Sequence, residues 1–456
     1  MRSAGSRRAT AEPAAEGVRC RVVGPGSGAW FIGRTTGPPS VGLRLRFAAP
    51  GDLWLVRPRA DDAGWADPVA LIEPGPARRE PPCPLAAECG GCHWQQIDES
   101  VQLELKLDAL RVALSRAGLA AAGERLRAAP APPTLGYRYR ARFQIGRAPA
   151  GGPPAIGFHR PGSRSCLDVA ECLLLAPELA RVYRFVRQRW RGQTTHGLTG
   201  VEITALPGSP GGLVYLNPRD RPPAGWPDLG RRLLAASGEP SSPVAGVSVR
   251  RSAGPGVPDG LGARSIVGKT PGGHPVAAAA RGFLQAHLAA ADRLADEVVR
   301  LSGAGAGVEI FELFAGTGLL SWRLAAAGAE VTSIENDPLA VEAAAALPAV
   351  PRGRLRSVCA DARDQAAIDA LAPRTPHAVW LADPPRSGLG PIATWIGRLG
   401  SRAPEKIVLV SCSLASLTRD LSVLAAADYR LNRAVLVDLF PQTRHVEVAA
   451  RLIRTA

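Results

Sequence analysis

The chain has 456 residues, enough for two to four domains with sizeable hydrophobic cores. Its formal net charge is +15, and this excess of Arg and Lys over Asp and Glu favours polyanionic partners such as nucleic acids. No apolar run is long enough to span a bilayer and the first residues lack a signal-peptide core, so we expect a cytoplasmic protein without a membrane anchor. The eight cysteines are unevenly spaced, which favours metal binding or catalysis over a disulfide framework.

The first part of the chain predicts a small all-β domain. Residues 1–16 are interpreted as a disordered basic lead-in. From residue 17 to residue 77, short apolar segments alternate with Gly and Pro, which is typical of a small β-barrel. The predicted strands are 19–23, 30–33, 41–47, 52–56 and 69–72. Arginines interleaved with apolar residues in these strands suit either phosphate contact or a solvated barrel surface.

Three cysteines follow within ten residues. Cys83, Cys89 and Cys92 form a C-x5-C-x2-C pattern, and the glycines at 90 and 91 let the backbone wrap tightly. Soft thiolates select zinc or an iron–sulfur cluster, and either normally takes four ligands. The fourth ligand must come from elsewhere in the chain, and Cys166 and Cys172 are the nearest candidates.

Residues 78–290 predict a β-rich central domain. An amphipathic helix is predicted at 98–119, and strands are predicted near 200–215 and 244–249. In a strand over 137–144, basic residues occupy one face and mainly aromatic residues the other. Basic and aromatic side chains suit phosphate contact and base stacking, although an ordinary amphipathic strand has the same pattern. The predicted RNA-binding residues are Arg138, Arg140, Arg142 and Phe143.

Residues 291–456 predict alternating strands and helices. The strand at 308–314, the turn containing Gly316 and Gly318 and the helix at 319–327 form a nucleotide-binding unit, and Glu335 ends the next strand. A carboxylate at that place binds ribose hydroxyls. The turn lacks the third glycine and the basic residues that suit a dinucleotide, which favours S-adenosylmethionine over a nicotinamide cofactor.

Three further strands of this domain end in chemically active side chains. Asp361 follows a strand at 355–359 and is placed to reach an adenine amino group, and Asp383 follows a strand at 377–382. Cys412 ends the apolar strand at 407–410 and precedes a helix at 413–424. A lone cysteine there is more often a small buried hydrophobe than a nucleophile. Because parallel strands end at one edge of the sheet, we expect the cofactor turn, Asp383 and Cys412 to share one crevice.

Taken together, these residues resemble the S-adenosylmethionine-dependent RNA (uracil-5-)-methyltransferases, particularly the iron–sulfur-containing members that act on 23S ribosomal RNA. The matching stretches are Cys83 to Cys92, Tyr137 to Phe143, Gly157–Phe158 with Cys172, Phe283–Leu284–Gln285, Phe314 to Gly318, Asp383 to Gly388, Val410–Ser411–Cys412 and Phe440 to Glu447. The resemblance implies a multidomain α/β protein with an N-terminal TRAM-like (OB-like) barrel, a β-rich central domain holding a Cys-ligated cluster, and a C-terminal Rossmann-like class I methyltransferase domain.

The resemblance also implies roles for individual residues. It makes Cys172 the fourth ligand of a [4Fe-4S] cluster and leaves Cys166 out. It implies that Gln285, Phe314, Glu335 and Asp383 bind S-adenosylmethionine. Cys412 becomes the nucleophile and Glu447 the base, whereas pattern alone makes Glu447 a surface carboxylate.

The expected reaction is methylation of carbon-5 of a uridine in RNA by a monomeric enzyme, with 23S rRNA as the expected substrate. Two alternatives stay open: the same chemistry on the T-loop of tRNA, and a catalytically inactive RNA-binding relative. Two departures from the family pattern bear on the site. Ser413–Leu414 stands where Asn–Pro is usual, and His287 stands where Asn is usual.

Overall fold

The computed structural model describes residues 17–119, 125–146, 154–190, 197–235, 242–250 and 259–455. The chain divides into two compact units. The first comprises the chain up to Ala87 with His93–Val101, and the second comprises Glu88–Cys92 with Gln102–Ala456. The predicted lead-in, residues 1–16, lies outside the described residues. Within the described ranges, no helix is both long and apolar enough to cross a membrane.

The first unit contains the five strands predicted from its Gly and Pro punctuation. They are β1 (Val18–Pro25), β2 (Phe31–Thr35), β3 (Gly42–Leu45), β4 (Leu53–Pro58) and β5 (Ala66–Glu73). They form one sheet in the order β3-β2-β1-β4-β5. The Arg44 N–H donates to the Gly64 carbonyl at 2.7 Å, which joins β3 to the segment before β5 and so links the two edges of the sheet. In β1, β2 and β3, alternate residues point inwards, as period-two patterning requires, with Phe31 and Leu45 fully buried.

Nine helices are described. They are α1 (Glu99–Arg116), α2 (Pro177–Trp190), α3 (Trp226–Leu234), α4 (Leu288–Ser302), α5 (Leu319–Ala326), α6 (Pro338–Ala345), α7 (Gln365–Leu371), α8 (Pro391–Arg398) and α9 (Leu414–Ala425), with a short 3-10 turn at Gly400–Arg402. The predicted helix at 98–119 is confirmed as α1.

The second unit contains three sheets. Strand β6 (Leu126–Ala129) belongs to the third sheet. The strands of the first two sheets are β7 (Arg140–Ile145), β8 (Ile156–His159), β9 (Cys166–Asp168), β10 (Leu198–Thr204), β11 (Gly212–Pro218), β12 (Val244–Val249), β13 (Asp259–Gly262), β14 (Ser265–Lys269) and β15 (Pro275–Ala279). A seven-stranded sheet has the order β13-β12-β11-β10-β7-β8-β9, and β14 and β15 form a separate hairpin. Helices α2 and α3 cover one face of the seven-stranded sheet and bury its apolar side chains.

The third sheet has eight strands. Its remaining members are β16 (Glu309–Leu313), β17 (Glu330–Glu335), β18 (Arg354–Cys359), β19 (Val379–Ala382), β20 (Lys406–Ser411), β21 (Tyr429–Val437) and β22 (Glu447–Arg454). The order is β18-β17-β16-β19-β20-β22-β21-β6. The first five strands are parallel, and β22 is antiparallel to both of its neighbours. Apolar clusters cover both faces, which explains why the predicted strands are continuous apolar runs rather than alternating ones.

Two segments far back in the sequence complete this sheet. Strand β6 pairs in parallel with β21 at the outer edge. Leu110 and Leu114 of α1 lie in the same apolar cluster as Leu436 of β21.

The predicted domain boundaries at 77/78 and 290/291 stay predictions.

Candidate active site

The carboxyl ends of the central parallel strands lie at one edge of the eight-stranded sheet. Leu313 of β16 pairs with Ile334 of β17 on one side and with Ala382 of β19 on the other, and Ala382 pairs with Leu409 of β20. The residues that follow these positions therefore emerge at the same level. This arrangement brings the cofactor turn, Asp383 and Cys412 to one edge, where open α/β sheets bind their ligands.

The cofactor turn after β16 is anchored by the carboxylate of Glu335. Its Oε2 accepts the Gly316 N–H at 2.9 Å, and its Oε1 accepts the N–H groups of the two residues after it, each at 2.8 Å. Phe314, Gly316 and Gly318 all have positive φ values, of 63°, 57° and 81°. A non-glycine residue such as Phe314 costs about 1–3 kcal/mol in this region, and such strain is typical of ligand sites.

Asp361 is linked to this turn through Arg363. The Arg363 guanidinium lies 5.3 Å from the ring centre of Phe314. The backbone N–H of Arg363 donates to Asp361 Oδ1 at 2.9 Å. Gln285 is buried just before α4, and the carbonyl of its neighbour Ala286 accepts the Tyr139 N–H at 2.8 Å.

The predicted nucleophile and base stand on neighbouring antiparallel strands. Ser411, the last residue of β20, pairs with Val448 of β22, so Cys412 and Glu447 are the next residues outward on each side. Glu447 also pairs with Val437, the last residue of β21. The side chain of Glu447 is buried, and that of Cys412 is half-buried. A cysteine and a carboxyl group therefore meet at the ligand-binding edge.

Burial and mutual repulsion control the protonation of these groups. Burial raises the pKa of Asp383 to about 7. Burial, and then the charge of Asp383, raise the pKa of Glu447 well above its ordinary value. Burial, and then the charges of Glu447 and Asp383, raise the pKa of the Cys412 thiol. The site thus favours a neutral thiol and protonated carboxyl groups.

Two further features distinguish this cluster of carboxyl groups. The Oε1 atom of Glu447 is buried and accepts no hydrogen bond from any described residue, so it is available to a ligand. Glu312 of β16 is a second buried carboxyl, and burial raises its pKa to about 8 although the Ser321 hydroxyl donates to it. Strongly shifted carboxyls grouped at a sheet edge are typical of catalytic sites.

Arg386 is a candidate functional residue that sequence reasoning missed. Its positive charge lowers the pKa of both Cys412 and Glu447, against the raising effect of burial. It lies within the Asp383 to Gly388 stretch, in which only Asp383 was assigned a role. A cation three residues from a site carboxylate was the available signal.

Helix α9 fixes the loop that carries Asp383 and Arg386. The Leu389 N–H donates to Asp420 Oδ2 at 2.7 Å, and Arg419 donates to the Ser387 carbonyl at 2.5 Å. Gly388 has φ of 76°, and a Cβ added there would meet Asp420 Oδ2 at 2.3 Å. Since α9 follows Cys412 directly, one element supports both catalytic-site loops.

The two departures from the family pattern are structurally accommodated. Ser413 is the N-cap of α9, and its side chain accepts the Ser416 N–H at 3.3 Å. His287 is the N-cap of α4, and its Nδ1 accepts the Ala290 N–H. Serine is a favoured N-cap, and the histidine ring supplies an equivalent acceptor.

The predicted metal centre is not confirmed. Among the described side chains, no three His, Cys, Asp or Glu residues converge on a common metal position. The four candidate ligands, Cys83, Cys89, Cys92 and Cys172, are half-buried thiols outside any disulfide. Within the second unit, the Gly91 N–H donates to Cys89 Sγ at 3.4 Å, the kind of bond that stabilises a thiolate. The rejected candidate, Cys166, directs its Sγ at the Gln144 carbonyl at 3.5 Å.

Phe143, one of the predicted RNA-binding residues, does not reach the surface. Its ring is fully buried and stacks on Tyr183 with ring centres 3.9 Å apart, because α2 covers that face of β7. Arg140 on the other face is paired with Glu202 at 2.6 Å. The Nε of Arg138 is buried, whereas Arg142 is exposed.

Two polar residues of α1 were also missed. The buried stripe of this helix consists of Gln102, Lys106, Leu110 and Leu114, so half of an apparently apolar face is polar. Both contact the loop that leads to Glu447. Lys106 is one of only three lysines in an arginine-rich chain, and its helical spacing from Leu110 was the signal that could have revealed it.

Proteins of related sequence align with the chain over most of its length. No family model matches the chain. An uncharacterised RNA methyltransferase of Gloeobacter violaceus is 30% identical over 436 residues, which cover 90% of this chain and 90% of the relative. The 23S rRNA (uracil(1939)-C(5))-methyltransferase RlmD of Thiobacillus denitrificans is 30% identical, covering 84% of this chain and 88% of the relative.

A solved structure has the same fold. The Pyrococcus abyssi tRNA (uracil-54, C5)-methyltransferase in complex with S-adenosyl-L-homocysteine matches with a TM-score of 0.67 at 22% identity, covering 95% of this chain and 100% of that one. The fold is that of a class I methyltransferase. The chain belongs to the S-adenosylmethionine-dependent RNA (uracil-C5)-methyltransferase family.

Proposed function

We propose that this enzyme methylates carbon-5 of a uridine in 23S rRNA through a covalent adduct between Cys412 and the uracil ring. The observation that carries the proposal is the pairing of Ser411 with Val448, which sets Cys412 beside Glu447 at the ligand edge of the sheet. The choice of rRNA is supported by the name of the Thiobacillus denitrificans relative.

The reaction requires first a nucleophile that adds to the uracil ring and then a base that removes a proton from it. Carbon-5 of uracil is a poor nucleophile, and addition of the Cys412 thiolate to carbon-6 converts the ring into an enolate with a nucleophilic carbon-5. That carbon takes the methyl group from the sulfonium, which leaves S-adenosylhomocysteine. Glu447 then removes the proton from carbon-5, the bond between sulfur and carbon-6 breaks, and the thiolate is released.

Burial gives Glu447 the basicity that this step needs. A carboxylate with an ordinary pKa is a weak base, and its raised pKa brings it closer to the operating pH. Arg386 limits the same effect, since its charge favours the ionised forms of Glu447 and Cys412. We assign to Arg386 the role of keeping both groups ionisable in the enclosed site.

The cofactor is assigned to the turn after β16 and the strand ends beside it. Gly316 and Gly318 allow close approach of the backbone, Glu335 is assigned to the ribose, Asp361 to the adenine, and Phe314, Gln285 and Asp383 to the remaining contacts. This assignment is supported by the left-handed turn and by the common level of the strand ends.

RNA contact is assigned to the exposed Arg142 and to the five-stranded unit, which we interpret as a TRAM domain. The net charge of +15 supports capture of a polyanion. We further propose that the enzyme is monomeric and works in the cytoplasm.

We also propose a [4Fe-4S] cluster on Cys83, Cys89, Cys92 and Cys172. The soft donor set and the half-buried thiols are compatible with it, and the Gly91 N–H bonded to Cys89 Sγ is a second supporting feature. When bound, the cluster would cross-link the segment around Cys89 to Cys172, and no step of methyl transfer requires it.

The cluster is tested by visible absorption of the anaerobically purified protein. We expect broad absorption that bleaches with dithionite, loss of it in Cys172→Ser, and retention in the control Cys166→Ser. A colourless protein that contains zinc would contradict the cluster.

The RNA substrate is tested by mapping 5-methyluridine in rRNA and tRNA from cells with and without the gene, together with assays on purified rRNA and tRNA. We expect loss of one or more sites in 23S rRNA. Loss confined to the T-loop of tRNA would overturn the choice of rRNA and leave the chemistry intact.

A further inference from the structure

The loop between β21 and β22 carries the residues that precede the proposed base. It spans residues 438–446, and its two ends are joined because Val437 pairs with Glu447. Gln442 within it has φ of 66°, a left-handed conformation that is strained for a residue with a side chain. Such a loop keeps one shape only if surrounding groups impose it.

Lys106 of α1 forms hydrogen bonds to the first half of this loop. Its side chain is fully buried, and its Nζ donates to Asp438 Oδ1 at 2.7 Å and to the Phe440 carbonyl at 2.9 Å. A buried ammonium group is costly to desolvate, and a buried ion pair is often no more stabilising than an apolar pair of similar volume. The residue is therefore better explained by what it positions than by stability.

Gln102, one turn earlier on α1, forms two hydrogen bonds to the strained residue Gln442. Its Oε1 accepts the Gln442 N–H at 2.9 Å, and its Nε2 donates to Gln442 Oε1 at 3.1 Å. The Tyr137 hydroxyl donates to the carbonyl of Pro441, the residue before Gln442, at 3.0 Å. Four of the five positions from 438 to 442 are thus held by hydrogen bonds from outside the loop.

We infer that Gln102 and Lys106 are positioning residues for the general base. By fixing the path of residues 438–442, they hold the start of β22 so that the Glu447 carboxyl stays beside Cys412 when the methylated adduct forms. This inference rests on the proposed role of Glu447. It assigns to α1 a part in proton abstraction that its position in the sequence, over 300 residues from Glu447, does not suggest.

The inference predicts that the second half of the reaction is affected and the first half is spared. In Lys106→Met we expect methyl transfer into the covalent adduct to stay within about twofold of the unaltered enzyme. Release of methylated RNA from the adduct should slow by at least about tenfold, because a displaced base loses much of its effect. A methylated, denaturation-resistant protein–RNA adduct should then accumulate, as measured by rapid quench with labelled S-adenosylmethionine and rRNA.

Two further variants separate positioning from folding. Lys106→Met/Asp438→Asn removes both charges and keeps an oxygen that can accept the Phe440 N–H, so it relieves the unpaired buried carboxylate. We expect it to regain thermal stability and still accumulate adduct. Gln102→Leu removes the hydrogen bonds to Gln442 without changing Lys106, and it should also slow the release of methylated RNA from the adduct. The control Lys269→Met, on the exposed end of β14, should behave as the unaltered enzyme.

The outcomes distinguish this inference from the proposed function. If Glu447→Gln accumulates the adduct while the Lys106 and Gln102 variants do not, the positioning role is refuted and the base is retained. Equal slowing of both halves of the reaction, or recovery of full turnover in the double variant, also refutes it. If Glu447→Gln forms no adduct, the base assignment itself fails.

Discussion

Arg386 and Cys412 are electrostatically linked: the positive charge of the guanidinium lowers the pKa of the thiol, which burial, Glu447 and Asp383 raise. The same arginine lowers the pKa of Glu447. Because both groups act in their deprotonated forms, one surface cation influences both halves of the proposed reaction.

Removal of this charge should therefore displace the pH dependence of the enzyme. Both pKa values rise in Arg386→Gln, so we expect the single-turnover rate to increase with pH along a curve displaced by roughly half a pH unit or more to higher pH. Arg386→Lys keeps the charge and should stay close to the unaltered profile. Superimposable profiles for the glutamine variant and the unaltered enzyme would show that Arg386 does not control ionisation.

Cys412→Ala should abolish methylation and leave cofactor binding intact. The cofactor turn lies on β16 and β17 and is held by Glu335, which the substitution does not touch. Transfer of labelled methyl groups measures the first effect, and calorimetric titration with S-adenosylmethionine measures the second. Cys359→Ala, an exposed thiol, is the control. Methylation that persists without Cys412 is incompatible with the adduct.

Glu447→Gln should trap the adduct after methyl transfer. Glutamine preserves the shape of the side chain and cannot accept the carbon-5 proton, so turnover should fall by about a hundredfold or more. The adduct is detected as protein–RNA that survives denaturation, and it should be absent from Cys412→Ala/Glu447→Gln. Turnover without adduct in the single variant would remove Glu447 from the base role.

Protonation of His287 should destabilise the protein in acid. Its Nε2 lies 2.9 Å from the carbonyls of Ala131 and Pro133, its Nδ1 accepts the Ala290 N–H, and its ring stacks on Tyr137. These contacts require the neutral ring with the proton on Nε2. Burial lowers the pKa of His287 from 6.5 to about 4.

The sign of the pH effect follows from this lowered pKa. The stabilising contribution of the neutral ring is complete above 6.5 and is lost as the pH falls towards about 4, an interval worth roughly 3 kcal/mol. His287→Asn keeps a helix-capping acceptor and does not titrate, so its thermal midpoint should fall less steeply between those two pH values. Parallel midpoint curves for the two proteins would contradict this account.

Local sequence was sufficient for much of the fold and for the reacting groups. The apolar run at 407–410 and the turn at 315–318 specify a buried strand and a strand-to-helix turn by short-range chemistry, and both are observed as β20 and the segment before α5. Since parallel strands end at a common edge, the strand ends alone placed Asp383 near Cys412.

The sequence by itself determined the predicted strands, the helices near 98–119, 319–327 and 413–424, and the residue types at their ends, because these depend on neighbours a few positions apart. The tertiary structure alone decided which strand faces are covered. Alternation in 137–144 separated two faces, and only the packing of α2 buried Phe143 and left Arg142 exposed. The tertiary structure alone also decided that Lys106 contacts Asp438. A contact between residues more than 300 positions apart produces no local periodicity in the sequence from which it could be predicted.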